Sequence, residues 1–598
     1  MRTLKRTLLA SSVALGLIAS GTASAQFSNM VFIGDSLSDA GYYGGARFTV
    51  NPGLVWAQDL GAAYGFTIKP SNQGGTDYAQ GGARVTLPSA STPSGFAQRP
   101  ASVQINELLA KTPTLDPNAL YAVWIGGNEI LQGLQEYAGG LITATQLQAN
   151  IATSAVQAAQ QVERLHAAGA KYIVISNLGN GQLTPYGVAN PAVPLASLSS
   201  LYDSTLGTAL GQLPFDVINV NTGGLLKEVV ASPSTYGFTN ATKGACTTSS
   251  AISCTPATLV TPNAAQTYVW ADDVHPSPAM HAIVAQYVAS VLQAPQQMGA
   301  LAEAPLAVEQ ANWRTLDGRM VSGINAPRSP GKLEAWAAYD YGAPDVKSNY
   351  FNGDGSVNTI AVGGDIKMSD RLLVGAMFNY STNDSDYGGT GYKLDEPMGT
   401  LYAGYGEGPW YVGATLGAGG LDYSTTRSIA LGEATREETG NTSGWQYVGR
   451  LMGGYWFKYG DWVHGPNVKL TYQEIRVRQF QESGANSTTM TFGQQERKSF
   501  VTSLGWQLSG NLGGIRPFAR ATWEYEGQSD ERTVTASIYG MSGSFGMPAY
   551  KPDSNWGLFN LGAATEFGKI TGFITGSATA GKGDGDYYAV TVGIRAPL

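Results

Sequence analysis

Past residue 330 the chain changes grammar. Residues 333–341 run Leu-Glu-Ala-Trp-Ala-Ala-Tyr-Asp-Tyr, and residues 410–418, 519–525 and 588–595 repeat the scheme. Every second side chain is apolar, often aromatic. The others are glycine, threonine or charged, as with Glu334, Asp340, Arg520, Glu524 and Arg595. Successive strand residues face opposite ways, so each segment has an oily face and a polar one. About a dozen such segments, joined by Gly/Asp/Ser/Asn-rich turns, predict a transmembrane antiparallel β-barrel, apolar side out, of 12 strands. Such a chain has few other choices, because lipid offers no hydrogen bonds to a sheet edge.

Composition agrees. Charged residues are 13%, against about a quarter in ordinary soluble domains, while glycine reaches 77 and tyrosine outnumbers phenylalanine 31 to 18. A net charge of −8 argues against a nucleic-acid partner. Arg2, Lys5 and Arg6 precede an apolar run at 8–18 and then Ala23-Ser24-Ala25. That is the pattern of an export signal over 1–25. The run is too short for a membrane anchor.

Between residues 26 and about 293 the pattern alternates short apolar strands with helical periods. Strands are expected at 30–33, 120–125, 171–176, 215–220 and 268–270, and helices at 54–64, 145–168 and 195–213. This predicts an α/β domain with a parallel sheet, whose sites lie at the carboxyl ends of strands. Residues 278–321 read as helix with interruptions at Pro295 and Pro305. The expected divisions are 1–25, 26–295, a helical linker at 296–325, and a barrel at 326–598.

Four short motifs occur in order in the first half: Gly34-Asp35-Ser36-Leu37-Ser38-Asp39; Asp77-Tyr78-Ala79-Gln80-Gly81-Gly82-Ala83; Gly126-Gly127-Asn128-Glu129; and Asp272-Asp273-Val274-His275. Together they make an acyl-transfer set. Ser36, read as sitting on a strand-to-helix turn, is the candidate nucleophile. A serine hydroxyl needs a base. Of the four histidines, His275 has a carboxylate three residues ahead of it in a loop, and Asp272 can fix its tautomer. Asp273 is the rival orienting acid. The N–H groups of Ser36 and Gly82 and the Asn128 amide can receive an oxyanion.

On these four blocks the first half resembles the GDSL, or SGNH, ester hydrolases. The match departs from the family at Asp77, usually Asn, and at Glu129, usually Asp. Counting from Ala79 puts the family's oxyanion glycine on Gly82, with Gly81 as rival. The resemblance implies a flavodoxin-like sandwich and an acyl-serine intermediate, with no metal or other cofactor. The whole chain resembles the autotransporter esterases of that family. That implies a single chain placed in the outer membrane by the barrel-assembly machinery, with its first half at the cell surface and a helix, read onto 278–321, entering the barrel.

The bland readings stand beside these. A surface binding protein on a degenerate hydrolase fold is the alternative function. Asp39 and Glu129 read as hydrogen-bond partners of the nucleophile loop, and His281 as structural or at the rim. His166 reads as a solvated helix-face residue, His464 as part of a barrel turn, and 86–100 as a loop over the site. Cys246 and Cys254, in a Thr/Ser-rich loop of an exported chain, favour a local disulfide that staples the surface.

Overall fold

The structure, a computed structural model, describes residues 26–324, 329–348 and 351–598. The export segment 1–25 lies outside the described residues.

In the first half, four parallel strands lie side by side in sequence order: β1 (Met30–Gly34), β2 (Leu120–Trp124), β3 (Tyr172–Ser176) and β4 (Ile218–Val220). All four are buried on both faces, as a parallel sheet covered by helices requires. Beyond β1 the chain adds one parallel bridge, Phe32 to Asp77. Counting that bridge as a vestigial strand gives the order 2-1-3-4-5, the flavodoxin-like order. One apolar layer joins Val31, Ile33, Tyr121 and Val123 to the helix Ala144–Ala167, through Ile151, Ala155 and Val162. The opposite layer joins Phe32, Trp56 and Trp124 to the helix Pro278–Met298.

Several expectations need correction here. The stretch at 268–270 is a strand, β6 (Tyr268–Trp270), but it pairs with β5 (Asn240–Gly244) rather than with the main sheet. No helix follows Ser36: residues 36–38 form one turn, and the next helix begins at Trp56. Asp39 Oδ1 takes the N–H groups of Gly41 and Tyr42, which gives the backbone a local alternative to helix. A helix dipole therefore plays no part at the nucleophile.

Among the described residues twelve long strands close into an antiparallel barrel, from Leu333–Lys347 through Tyr587–Pro597, with the first paired to the last. Burial alternates along them. Ile360, Leu401, Leu416, Leu451, Leu561 and Ile594 point outward and are largely exposed, as a lipid-facing wall demands. His464 lies within the strand Trp462–Val477, not in a turn. Strands Trp410–Leu431 and Ala434–Tyr455 run 22 residues each, about twice what a bilayer needs. Their surplus meets the first half, where Gly432 N–H donates to Gln286 Oε1 (2.7 Å).

The stretch 278–321, read as one helix entering the barrel, is two: Pro278–Met298 stays on the α/β sheet, and the second helix, Ala304–Ile324, lies inside the barrel and is charged where its surroundings are charged. Arg314 pairs with Asp340 at 2.6 Å, and Asp317 meets Arg520 at 2.7 Å and Arg450 at 3.1 Å. Arg319 pairs with Asp365 and Glu334. Buried ions are tolerable only when matched in this way. Strands from the long segment between two barrel strands, Thr533–Ile538 and Phe545–Pro548, sit against the α/β domain. Val217 N–H donates to Ser544 O, and Glu228 bridges Ser487 and Arg436.

Candidate active site

Ser36 follows the end of β1, Asn128 follows β2, and the turn 272–275 follows β6. Three chain-distant segments thus meet at strand ends. His275 Nε2 lies 2.9 Å from Ser36 Oγ, and its Nδ1 lies 2.8 Å from Asp272 Oδ2. Asp272 is almost fully buried and its side chain accepts four N–H groups. Oδ1 takes those of Val274 (3.0 Å) and His275 (2.8 Å), and Oδ2 takes that of Ala251 (2.6 Å) and the ring Nδ1. Burial alone would push this carboxyl up. The charge of His275 and the converging N–H groups win, and hold it down at about 2. It is an anion at any working pH. Asp273 is exposed, so it is not placed to orient the ring.

The oxyanion side is equally specific. Asp39 Oδ2 accepts the Gly81 N–H at 2.8 Å, which removes that group from competition. A Cβ on Gly81 would lie 2.0 Å from the ring of Phe48, which itself packs 5.1 Å from the His275 ring. Gly82 has φ +79°, a conformation natural to glycine, and its N–H has no acceptor among the described residues. The Ser36 N–H is in the same state. Asn128 Nδ2 donates to Ala83 O at 3.1 Å. The structure therefore brings Ser36, Gly82, Asn128, Asp272 and His275 into one place.

The neighbouring residues differ from expectation in part. Glu129 makes no hydrogen bond to the nucleophile loop among the described residues, though its charge acts on Asp35. It is buried and accepts from the Val85 N–H and from Arg84 Nε, both at 2.6 Å, so it fastens the segment after Gly82. His281 is wholly buried, with Nδ1 accepting the Trp56 N–H. Burial and the nearby His275 charge lower it to about 3, so it stays neutral. His166 is exposed and stacked on Phe215 at 3.7 Å. Loop 86–100 does lie over the site: Ser89 and Ser91 approach Gly82, and Phe96 packs 4.8 Å from Tyr43.

Three buried carboxyls surround the nucleophile. Burial raises Asp35 to about 7 and Asp39 to about 6. Burial and the charge of Asp39 push Asp77 well above the usual range. Asp77 takes the N–H groups of Ala40 and Ala79, so this acid still performs local bonding where the family has Asn. Sequence reasoning passed over Phe48, Tyr43 and Ala251. Tyr43 Oη donates to Gly81 O at 2.8 Å. No motif marks these residues, because contacts from distant segments bring them in.

Cys246 and Cys254 are bonded to each other.

Comparison with known proteins follows the same division. Residues 30–288 match the GDSL-like Lipase/Acylhydrolase family, and residues 335–577 match the Autotransporter beta-domain. Lipase 1 of Photorhabdus luminescens is 26% identical over 99% of this chain and 100% of its own. Esterase EstA of Pseudomonas aeruginosa is 27% identical over 75% and 70%. An uncharacterized protein from the trpE-trpG intergenic region of Pseudomonas putida is 29% identical over 90% and 96%. The chain thus carries a GDSL-like lipase/acylhydrolase domain in its first half and an autotransporter β-domain in its second.

Proposed function

We propose that Ser36, His275 and Asp272 carry out hydrolysis of carboxylic esters at the cell surface, by way of an acyl-serine. The observation that carries this is the unbroken chain Ser36 Oγ, His275, Asp272, with the Ser36 and Gly82 N–H groups unengaged beside it. Ser36 Oγ attacks the ester carbonyl carbon while His275 Nε2 takes its proton. The tetrahedral oxyanion is held by the Ser36 and Gly82 N–H groups. Asn128 joins them by exchanging Ala83 O for the substrate oxygen. The intermediate collapses, the imidazolium protonates the departing alcohol, and an acyl-serine remains. Water, deprotonated by His275, then attacks the acyl carbon and releases the acid. Asp272 keeps the proton on Nδ1 and stabilises the imidazolium.

The same reading assigns 26–295 to the catalytic passenger, 296–325 to the pore linker and 326–598 to the anchor. One chain closes the barrel, which supports a monomer, and insertion would use the barrel-assembly machinery. The names lipase and esterase borne by relatives of similar layout support ester substrates. The intact constellation leaves a binding-only role without support.

The test is hydrolysis of p-nitrophenyl butyrate by outer membranes carrying equal amounts of folded wild type or Ser36→Ala. The variant should lose at least about a thousandfold in kcat. Equal rates would overturn the assignment.

A further inference from the structure

The Cys246–Cys254 bridge closes a short loop whose only regular piece is the single turn Ala251–Ser253. That turn reaches the catalytic acid: the buried Ala251 N–H donates to Asp272 Oδ2 at 2.6 Å. The other donors to Asp272 come from its own turn. Among the described residues Ala251 is the one donor from elsewhere in the chain. The first residues of the loop are tied by Cys246 N–H to Ala271 O (2.9 Å) and Thr247 N–H to Thr258 O (2.8 Å), and beyond them its packing is thin. Residues 247–250 are Thr-Thr-Ser-Ser and partly exposed, and its apolar contact is a small cluster of Ala245, Ala251, Cys254, Ala264, Ala271 and Val50. Ordering such a polar span costs conformational entropy that the cross-link removes beforehand. From the far side Asn51 grips the loop, its N–H donating to Cys254 O (2.9 Å) and its Nδ2 to Ala251 O (3.3 Å).

We infer that the Cys246–Cys254 disulfide positions the catalytic carboxylate, by holding the Ala251 N–H against Asp272, and that breaking it slows the chemical step. Ala251 is thus a positioning residue. The inference rests on the proposed role of Asp272. Reduction by dithiothreitol moves two electrons and two protons onto the two sulfurs, leaving two thiols and the cyclic oxidised reductant. The N–H then loses its fixed place, and the carboxylate loses the hydrogen bond that ties it to a segment outside its own turn. No substrate contact changes, so the effect falls on kcat.

The experiment uses full-length protein in outer membranes with p-nitrophenyl butyrate. Three perturbations are compared: Cys246→Ala/Cys254→Ala, dithiothreitol on folded wild type, and Ala251→Pro. The last keeps the disulfide and replaces the N–H, at the first position of its turn where proline suits the backbone, by a ring methylene that pushes Asp272 Oδ2 away. Each should lower kcat about tenfold with KM within twofold. In an Asp272→Ala background the same perturbations should change the residual rate by less than twofold, because coupled residues are not additive. An unchanged kcat overturns the inference, as does a rise in KM alone or an equal loss in the Asp272→Ala background. Ser36→Ala, run alongside, separates the two levels. If it stays active the proposed mechanism fails. If it is dead while Ala251→Pro is fully active, only the positioning role fails.

Discussion

Replacing Asp272 by Asn is the most informative single change, because the structure fixes what each orientation of the amide must face. With the amide oxygen in place of Oδ1, the N–H groups of Val274 and His275 stay bonded. The NH2 then faces the Ala251 N–H and the ring Nδ1. With the oxygen in place of Oδ2, Ala251 and the ring are served but two backbone N–H groups are orphaned. The first orientation therefore loses one buried backbone bond and the second loses two, a difference of about 1–3 kcal/mol. The ring Nδ1 lies 2.8 Å from the Oδ2 place and 2.9 Å from the Oδ1 place, so in the favoured first orientation it meets an NH2 beside the amide oxygen, and a tautomer with its proton on Nε2, which the carboxylate disfavours, becomes available. The ring then presents N–H, not a lone pair, to Ser36 Oγ at 2.9 Å. That tautomer depletes the working one by up to about 150-fold. Loss of the negative charge beside the imidazolium removes about 1 kcal/mol more, another factor of about 5. The product is a fall in kcat of about 5- to 750-fold with little change in KM. Initial rates on p-nitrophenyl butyrate, normalised to folded protein in the membrane, measure it. Asp273→Asn, an exposed neighbour, should stay near wild type. An Asp272→Asn enzyme within threefold of wild type, or a larger loss in Asp273→Asn, would refute the reasoning.

Two further outcomes follow from the same geometry. Asp35 titrates near 7 in the fold against 3.8 in an open chain. The folded form keeps a proton that the unfolded chain has already released, so stability declines as pH rises between about 4 and 7. The cost levels off at no more than about 4 kcal/mol above that range. Asp35→Asn should flatten the drop in the passenger's thermal midpoint between pH 5 and 8, followed by tryptophan fluorescence; an unaltered slope would contradict this. Asp272 has the opposite sign, giving stability above about pH 4 that is lost as pH falls toward 2. Gly81→Ala drives a Cβ to 2.0 Å from Phe48, which must leave the face of His275. The variant should lose more than tenfold in kcat/KM. Adding Phe48→Ala should recover most of the loss by clearing the clash, and absence of rescue would mean the glycine matters for another reason.

The primary sequence by itself determined the large divisions. Alternation of side chains is a local property, and lipid leaves an alternating chain no resting state but a closed sheet, so the barrel was readable from residues such as Trp410, Leu416 and Ile594. The four blocks were readable too, because each packs its chemistry into a few consecutive positions. What required the folded molecule was anything that depends on two distant segments touching. Asp39 engages Gly81 and leaves Gly82 free. Glu129 serves the segment after Gly82 and not the nucleophile. The 268–270 strand leaves the main sheet, Phe48 stands at the imidazole, and the Ala251 N–H meets Asp272. A backbone N–H carries no mark in the sequence of which carboxylate it will find. That choice is made when side chains pack and every buried polar group must find a partner, a condition satisfied by the whole chain together.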